Sequence, residues 1–168
     1  MLGRCIVAGL CDSEAMKTAA ERYGVSEQDW DRQVFAATRS LERIAALGRV
    51  TSYTDLNREI AEKTGLDQFN FAHPEGRNAL AWILGEVVDR TVDDLQSMLS
   101  AVVLYIDGND AGLGFYHLAV QLTGEGRLDP GLSADASSDD KLRFWSDQVA
   151  AVHEACKGKG AAGRRRRI

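Results

Sequence analysis

Apolar residues recur at helical spacing through most of this 168-residue chain. Trp30, Val34, Ala37, Leu41 and Ile44 fall three or four positions apart, which places them on one face of a helix. Ser26, three residues before Asp29, supplies a capping-box-like start with Asp in place of the usual Glu, and Gly48 a stop, so the pattern predicts a helix from about Glu27 to Leu47. Ser52 and Asp55 repeat the start signal, Leu56, Ile60 and Ala61 form a shorter inward stripe, and Gly65 ends it. Pro74 suits the first position of a third helix, where its missing N–H costs nothing. Leu80, Ile83, Leu84 and Val87 are that helix's buried stripe; its opposite face offers Arg77, Asn78, Ala81 and Gly85, small or polar residues that let another backbone come close.

The period then changes. Ala101 to Ile106 is β-rich, Asp107-Gly108 is a turn signal, and Gly112 and Gly114 allow a return through Phe115 and Tyr116, which predicts a two-stranded wing. Arg49 to Thr51 is too short to stand as an independent strand. Three helices followed by a hairpin is the winged helix-turn-helix order, whose third helix enters a major groove. The expected fold is therefore α+β, mostly helical, with a winged-helix core over about 27–122 inside a single domain spanning 1–156. Additional terminal helices are expected over Ser13 to Tyr23 and about 139–156, and a short one over His117 to Leu122. In the last helix Leu142, Trp145, Val149, Val152 and Cys156 form a stripe that packs on the body or on a second chain. Gly124 to Asp140, rich in Gly, Ser and Asp, is a loop.

Charge complicates this reading. The formal net charge is −5, but Lys157, Lys159 and Arg164 to Arg167 place six cations and no acids in the tail 157–168. The remainder has 14 basic and 25 acidic residues, a net of −11. From Gly48 to Tyr116, five basic residues (Arg49, Arg58, Lys63, Arg77, Arg90) face eleven acids, a net of −6. Counterion release by Lys and Arg supplies most non-specific affinity for nucleic acid, so an acidic reading module needs its arginines gathered on one face or help from the tail.

Candidate chemistry is sparse. Cys5, Cys11 and Cys156 are odd in number and far apart, and His73, His117 and His153 are scattered, so neither a disulfide framework nor a metal site is expected. No phosphate-binding loop, nucleophile elbow or His-Glu-x-x-His motif occurs. The acid pairs Asp93-Asp94 and Asp139-Asp140 are read as charges favoured near helix starts. The longest apolar run, Ala101 to Ile106, is far below the roughly 20 residues that span a bilayer. With no secretory signal pattern either, a cytoplasmic protein without membrane partners is expected.

Gly48-Arg-Val-Thr-Ser-Tyr53-Thr-Asp-Leu56 resembles the Gly-x-Val-x-Ser/Thr-Tyr-x-x-Leu segment of the C-terminal domain of O6-alkylguanine-DNA alkyltransferases and alkyltransferase-like proteins. The third predicted helix, with Arg77, Ala79 and Leu80, is similar in placement to the family helix with an Arg-Ala-Val-Gly core. Leu99 to Val103, Asp107-Gly108 and Gly114 to Tyr116 fall where the family has Pro-Cys-His-Arg-Val, an Asp-Gly turn and a Gly-Tyr. Counted back from that turn, the family's alkyl-accepting cysteine falls on Ser100 and its histidine on Ala101. A hydroxyl with no base beside it is a far poorer nucleophile than an activated thiolate, so the resemblance implies binding without alkyl transfer. It assigns the phosphate-rotating tyrosine to Tyr53 and the intercalating arginine to Arg77. Met98 to Val103, Gly112 to Tyr116 and the pair Phe144-Trp145 are also similar to a family of short, uncharacterised prokaryotic and phage proteins, which implies no activity.

The expected function is non-catalytic binding of double-stranded DNA, without cofactor, through Tyr53, Arg77, Asn78 and Arg49, the wing tip at Asn109, and Arg164 and Arg165 of the tail. The alternative is a protein-interaction or homodimerisation module with the Trp145 helix as its interface and no nucleic acid. Each residue also has a plainer role: Tyr53 as a half-buried core edge, Arg77 as a solvated cation, Trp82 and Trp145 as packing anchors, and the arginine run as a solubilising end.

Overall fold

The computed structural model describes residues 18–105 and 111–157. Among these residues six α-helices dominate: α1 (Ala19–Arg22), α2 (Glu27–Ala46), α3 (Tyr53–Thr64), α4 (Pro74–Leu95), α5 (Leu113–Gly124) and α6 (Ser138–Lys157). Two strands, β1 (Thr51–Ser52) and β2 (Val103–Leu104), pair in parallel, and a 3-10 turn, Leu99–Val102, leads into β2. The described residues are thus mostly helical with one small sheet. No helix among the described residues is long and apolar enough to cross a membrane.

α2 is the axis of the fold, packed by α3, α4, α6 and the 3-10 turn. Its stripe of Trp30, Val34, Ala37, Leu41 and Ile44 is buried as the spacing predicts. Ser26 accepts a hydrogen bond from the Asp29 N–H at the helix start. At the end, Gly48 (φ 65°) donates to Ala45 and the Arg49 N–H to Ile44, a Schellman arrangement that satisfies the last carbonyls and turns the chain toward β1. α3 begins on a Ser52 cap to the Asp55 N–H and ends at Gly65 (φ 72°). Between α2 and α3 lies a polar seam: the fully buried Ser40 donates to Glu59 at 3.0 Å and accepts from Lys63 at 2.7 Å, and Arg43 and Lys63 each pair with Glu59 at 2.8 Å.

The expected wing takes another form. Ala101, Val102 and Val103 are all buried, so the apolar run cannot alternate between a core and a solvent face as a hairpin strand does. It enters the core as the 3-10 turn and emerges to pair Thr51 with Val103 and Ser52 with Leu104. β1, which the sequence reads as too short to stand alone, forms because β2 lies beside it. Phe115 and Tyr116 are not a return strand; they lie in α5, where Phe115, Leu118, Ala119 and Leu122 repeat at helical spacing toward the core. α5 also absorbs the predicted 117–122 helix. The Asp107-Gly108 turn and the Ser13 to Lys17 part of the first predicted helix lie outside the described residues.

The stripe of α6 is rotated from the expected one. Phe144, Gln148, Val152 and Cys156 are buried, Trp145 and Val149 are half-buried, and Leu142 is 46% exposed. Two side chains of this helix complete the buried 3-10 turn: the Gln148 amide oxygen accepts the Met98 N–H at 2.8 Å, and the Trp145 indole N–H donates to the Ala101 carbonyl at 2.9 Å. Trp145 therefore packs partly into the body, and Leu142 is the exposed apolar residue of the same helix.

Replacing Gln148 by Leu leaves the buried Met98 N–H unpaired, which costs about 1–3 kcal/mol. Thermal unfolding should show a midpoint lowered by roughly 2–10 °C, while Leu142→Ala shifts it by less than about 2 °C; equal effects would show that the turn does not depend on α6. Burial opposes the Glu59 charge, but donors from Lys63, Arg43 and Ser40 outweigh it and hold its pKa at about 2, below the ordinary 4.5. Because the folded pKa is depressed, this seam's contribution is complete above about pH 4.5 and is lost as the pH falls toward about 2. Acid titration followed by circular dichroism should show that loss, and Glu59→Gln should flatten the pH dependence over the same window.

Candidate nucleic-acid interface

The connection from α3 to α4 is built by a few specific contacts. Asn57, only 4% exposed on α3, clamps the Phe69 peptide with its side-chain amide, donating to the carbonyl at 2.8 Å and accepting the N–H at 3.0 Å. Asn70 accepts the Ala72 N–H through its own side chain at 3.0 Å and the His73 N–H through its carbonyl at 3.2 Å. Phe69 and Phe71 pack against the core shared by α2, α3 and α4. The first turn of α4 comes down on this loop so closely that a Cβ on Gly76 would lie 2.2 Å from the Asn70 carbonyl oxygen. Pro74 occupies the first helical turn as expected.

Arg77 takes part in the same construction. Its guanidinium donates to the Phe71 carbonyl at 2.5 Å and remains exposed. Asn78 and Ala81 are exposed beside it, and nothing lies within 4 Å of a Cβ built on Gly85. With a rotation of about 100° per residue these four positions fall on one side of α4, beside the buried stripe of Leu80, Ile83, Leu84 and Val87; farther along the helix the same side is buried at Val88 and Val92. Over the first turns of α4 this side is exposed at Arg77, Asn78 and Ala81 and half-buried at Gly85, close to the loop that Arg77 fastens.

Tyr53 belongs to a different local scaffold. It opens α3 directly after β1, and its ring stacks on that of Tyr105 with centroids 4.3 Å apart and planes 16° from parallel. Burial, and then the Tyr105 hydroxyl beside it, pushes the Tyr53 hydroxyl pKa well above its ordinary value. Gly112 closes over Tyr105, where a Cβ would sit 2.5 Å from the ring. Arg49 is exposed at the approach to β1, and its carbonyl meets the His153 ring nitrogen of α6 at 2.9 Å. Ser100 is buried in the 3-10 turn, and the β1–β2 pairing brings together two of the segments that carry the family resemblance, 48–56 and 99–103. Asn109, Arg164 and Arg165 lie outside the described residues.

Ion pairing sorts the cations of this stretch. Arg58 is held by Asp55 at 2.5 Å, Lys63 by Glu59 at 2.8 Å, and Arg90 by Asp31 at 2.7 Å and Glu86 at 3.1 Å. Among the described residues no carboxylate pairs with Arg49 or Arg77. Nor does any group of three His, Cys, Asp or Glu side chains among them come together as a metal cage. The sequence offers Arg77 and Asn78 as candidates but not Asn57 and Gly76, which shape the loop beneath them. An asparagine and a glycine inside helical patterns, both poor helix formers, were the available signal.

Gly76→Ala should destabilise the protein by about 1–3 kcal/mol, because the methyl meets backbone that cannot rotate away. Gly85→Ala meets open space and should stabilise it by about 0.5–1 kcal/mol. Urea unfolding of both variants checks the contrast, and a neutral Gly76→Ala would mean that the loop does not rest on α4. No protein-family model, curated protein or solved structure matches this chain.

Proposed function

We propose that this chain is a non-catalytic DNA-binding protein of alkyltransferase-like shape, with α4 as the helix that enters the major groove of a duplex. In this reading the segment between β2 and α5, which includes Asn109, stands where a winged helix carries its wing. The observation that carries the proposal is the open face of α4. Arg77 and Asn78 offer donors for phosphate or base edges, and Ala81 and Gly85 let the groove wall approach. The Phe71 contact uses part of the Arg77 guanidinium, whose five N–H donors leave others for a ligand. Tyr53 is proposed as a buttress of the β1–β2 end, given its stacked partner, with Arg49 as the nearby phosphate contact.

The basic tail supplies what the body lacks. α6 ends at Lys157, one turn beyond His153, the residue that meets Arg49, and the tail's other cations, Lys159 and Arg164 to Arg167, follow it in sequence. Electrostatic attraction of this segment to the phosphate backbone offsets the net −6 of residues 48–116.

A second reading, a protein-interaction module that binds no nucleic acid, is favoured by that same acidity and by the ion pairs that occupy Arg58, Lys63 and Arg90. Its partner surface would be the α6 helix that carries Trp145, where Leu142 is exposed. The exposed Leu47, Val50, Tyr105 and Leu113 near the sheet are the alternative.

Fluorescence anisotropy with a labelled duplex at about 50 mM salt separates the readings, since phosphate-driven binding weakens steeply between about 50 and 200 mM. Ala81→Glu puts a carboxylate on the open face without touching the loop, and should weaken binding at least about tenfold. Arg77→Ala should weaken it as well and lower the salt slope by about one. Failure of the full chain to shift the duplex, together with a dimer by light scattering, would replace the DNA reading by the interaction module.

A further inference from the structure

An open cavity of about 430 Å³ lies between the 130–136 loop and the N-terminal half of α6. Leu132 and Phe144 form its apolar floor, and Asp135, Asp140 and Asp147 line it with Arg143 as the only cation. The Ser133 and Ser137 hydroxyls hydrogen-bond the Asp135 and Asp140 carboxylates and hold both below the usual carboxylate range. Gln148 also lines the cavity and is 4% exposed. Its oxygen is committed to the Met98 N–H, which leaves the amide N–H2 as a donor with no acceptor among the described residues. The groove thus offers anionic sites for guanidinium groups, an apolar floor for their methylene stems and one donor for a peptide carbonyl.

We propose that this groove is the docking site of the chain's own arginine-rich segment, Arg164 to Arg167. Charge selects the occupant: the segment holds four of the six cations in a tail without acids, and the groove carries three carboxylates against one guanidinium. Reach permits it. At about 1.5 Å per helical residue Asp147 lies roughly 15 Å and Asp140 roughly 26 Å back along α6 from Lys157. At about 3.3 Å per extended residue Arg164 can lie roughly 23 Å from Lys157 and Arg167 roughly 33 Å. A tethered segment meets the groove at an effective concentration in the millimolar range, which favours docking within one molecule over capture of another copy's tail. Docking withdraws the tail from other anions, so a duplex and the groove compete for the same arginines. The groove's occupancy does not depend on the DNA reading, and the test contains no nucleic acid.

The experiment is limited trypsin digestion of the full chain at low salt, with loss of the segment followed by intact mass. Asp135→Asn with Asp147→Asn removes two groove charges, and Glu62→Gln with Asp67→Asn removes two exposed charges on and just after α3. Cleavage within 164–167 should be about threefold or more faster in the groove variant than in the parent, the scale of one or two exposed ion pairs, and unchanged in the control. About 0.5 M salt should bring the parent to the groove variant's rate, because exposed pairs are screened. Equal rates in all three proteins, or equal acceleration in both variants, would overturn the proposal. Protection that grows with protein concentration would overturn docking within one molecule.

Discussion

The two hydrogen bonds from α6 to the buried 3-10 turn hold together parts of the chain that share no sequence neighbourhood. Residues 97–103 run through the interior, where an unpaired peptide group costs as much as a lost hydrogen bond. Too short to satisfy itself by a helix or a sheet, the turn takes the Gln148 oxygen at Met98 and the Trp145 indole at Ala101. That fastening sets where β2 emerges, and β2 in turn gives β1 its partner and Tyr53 its stacking ring. The 3-10 turn also packs on α2 and α4, so α6 supports the central helices through a segment forty-odd residues away.

A second construction shapes the face offered to solvent. The α3–α4 loop is held by Asn57 from below, by the missing side chain of Gly76 at the contact and by Arg77 from outside. An arginine that fastens a loop is already partly ordered, so using its remaining donors for a ligand forfeits less conformational entropy than ordering a solvated side chain. Around it the acidic surface has taken up most cations into ion pairs, each worth little in stability because it is exposed. Their larger effect is on recognition: of the cations between Gly48 and Tyr116 they leave Arg49 and Arg77 without a carboxylate among the described residues, and they make any affinity for phosphate strongly dependent on salt.

Helices α2, α3 and α4 were legible because their signals are local. Ser26, Ser52 and Pro74 start them, Gly48 and Gly65 stop the first two, and the buried stripes of α2 and α4 follow a 3.6-residue period. The candidate face was legible for the same reason, since Arg77, Asn78, Ala81 and Gly85 are what remains when the stripe is subtracted. The wing was not. A short apolar run such as 101–106 has no period to distinguish an exposed hairpin strand from a fully buried segment, and Gly112 and Gly114 suit a turn or a helix start equally well.

What local chemistry could specify from residues alone was where the main helices begin, end and face, together with the separation of an acidic body from a basic tail. Parallel pairing of Thr51 with Val103, the stacking of Tyr53 on Tyr105, and the rotation of α6 to bury Gln148 depend on partners about fifty residues apart. Backbone groups of the buried turn had to find donors and acceptors wherever packing placed them. Only the folded chain decides that choice, because the free energy of such a bond lies in the burial around it and not in either residue.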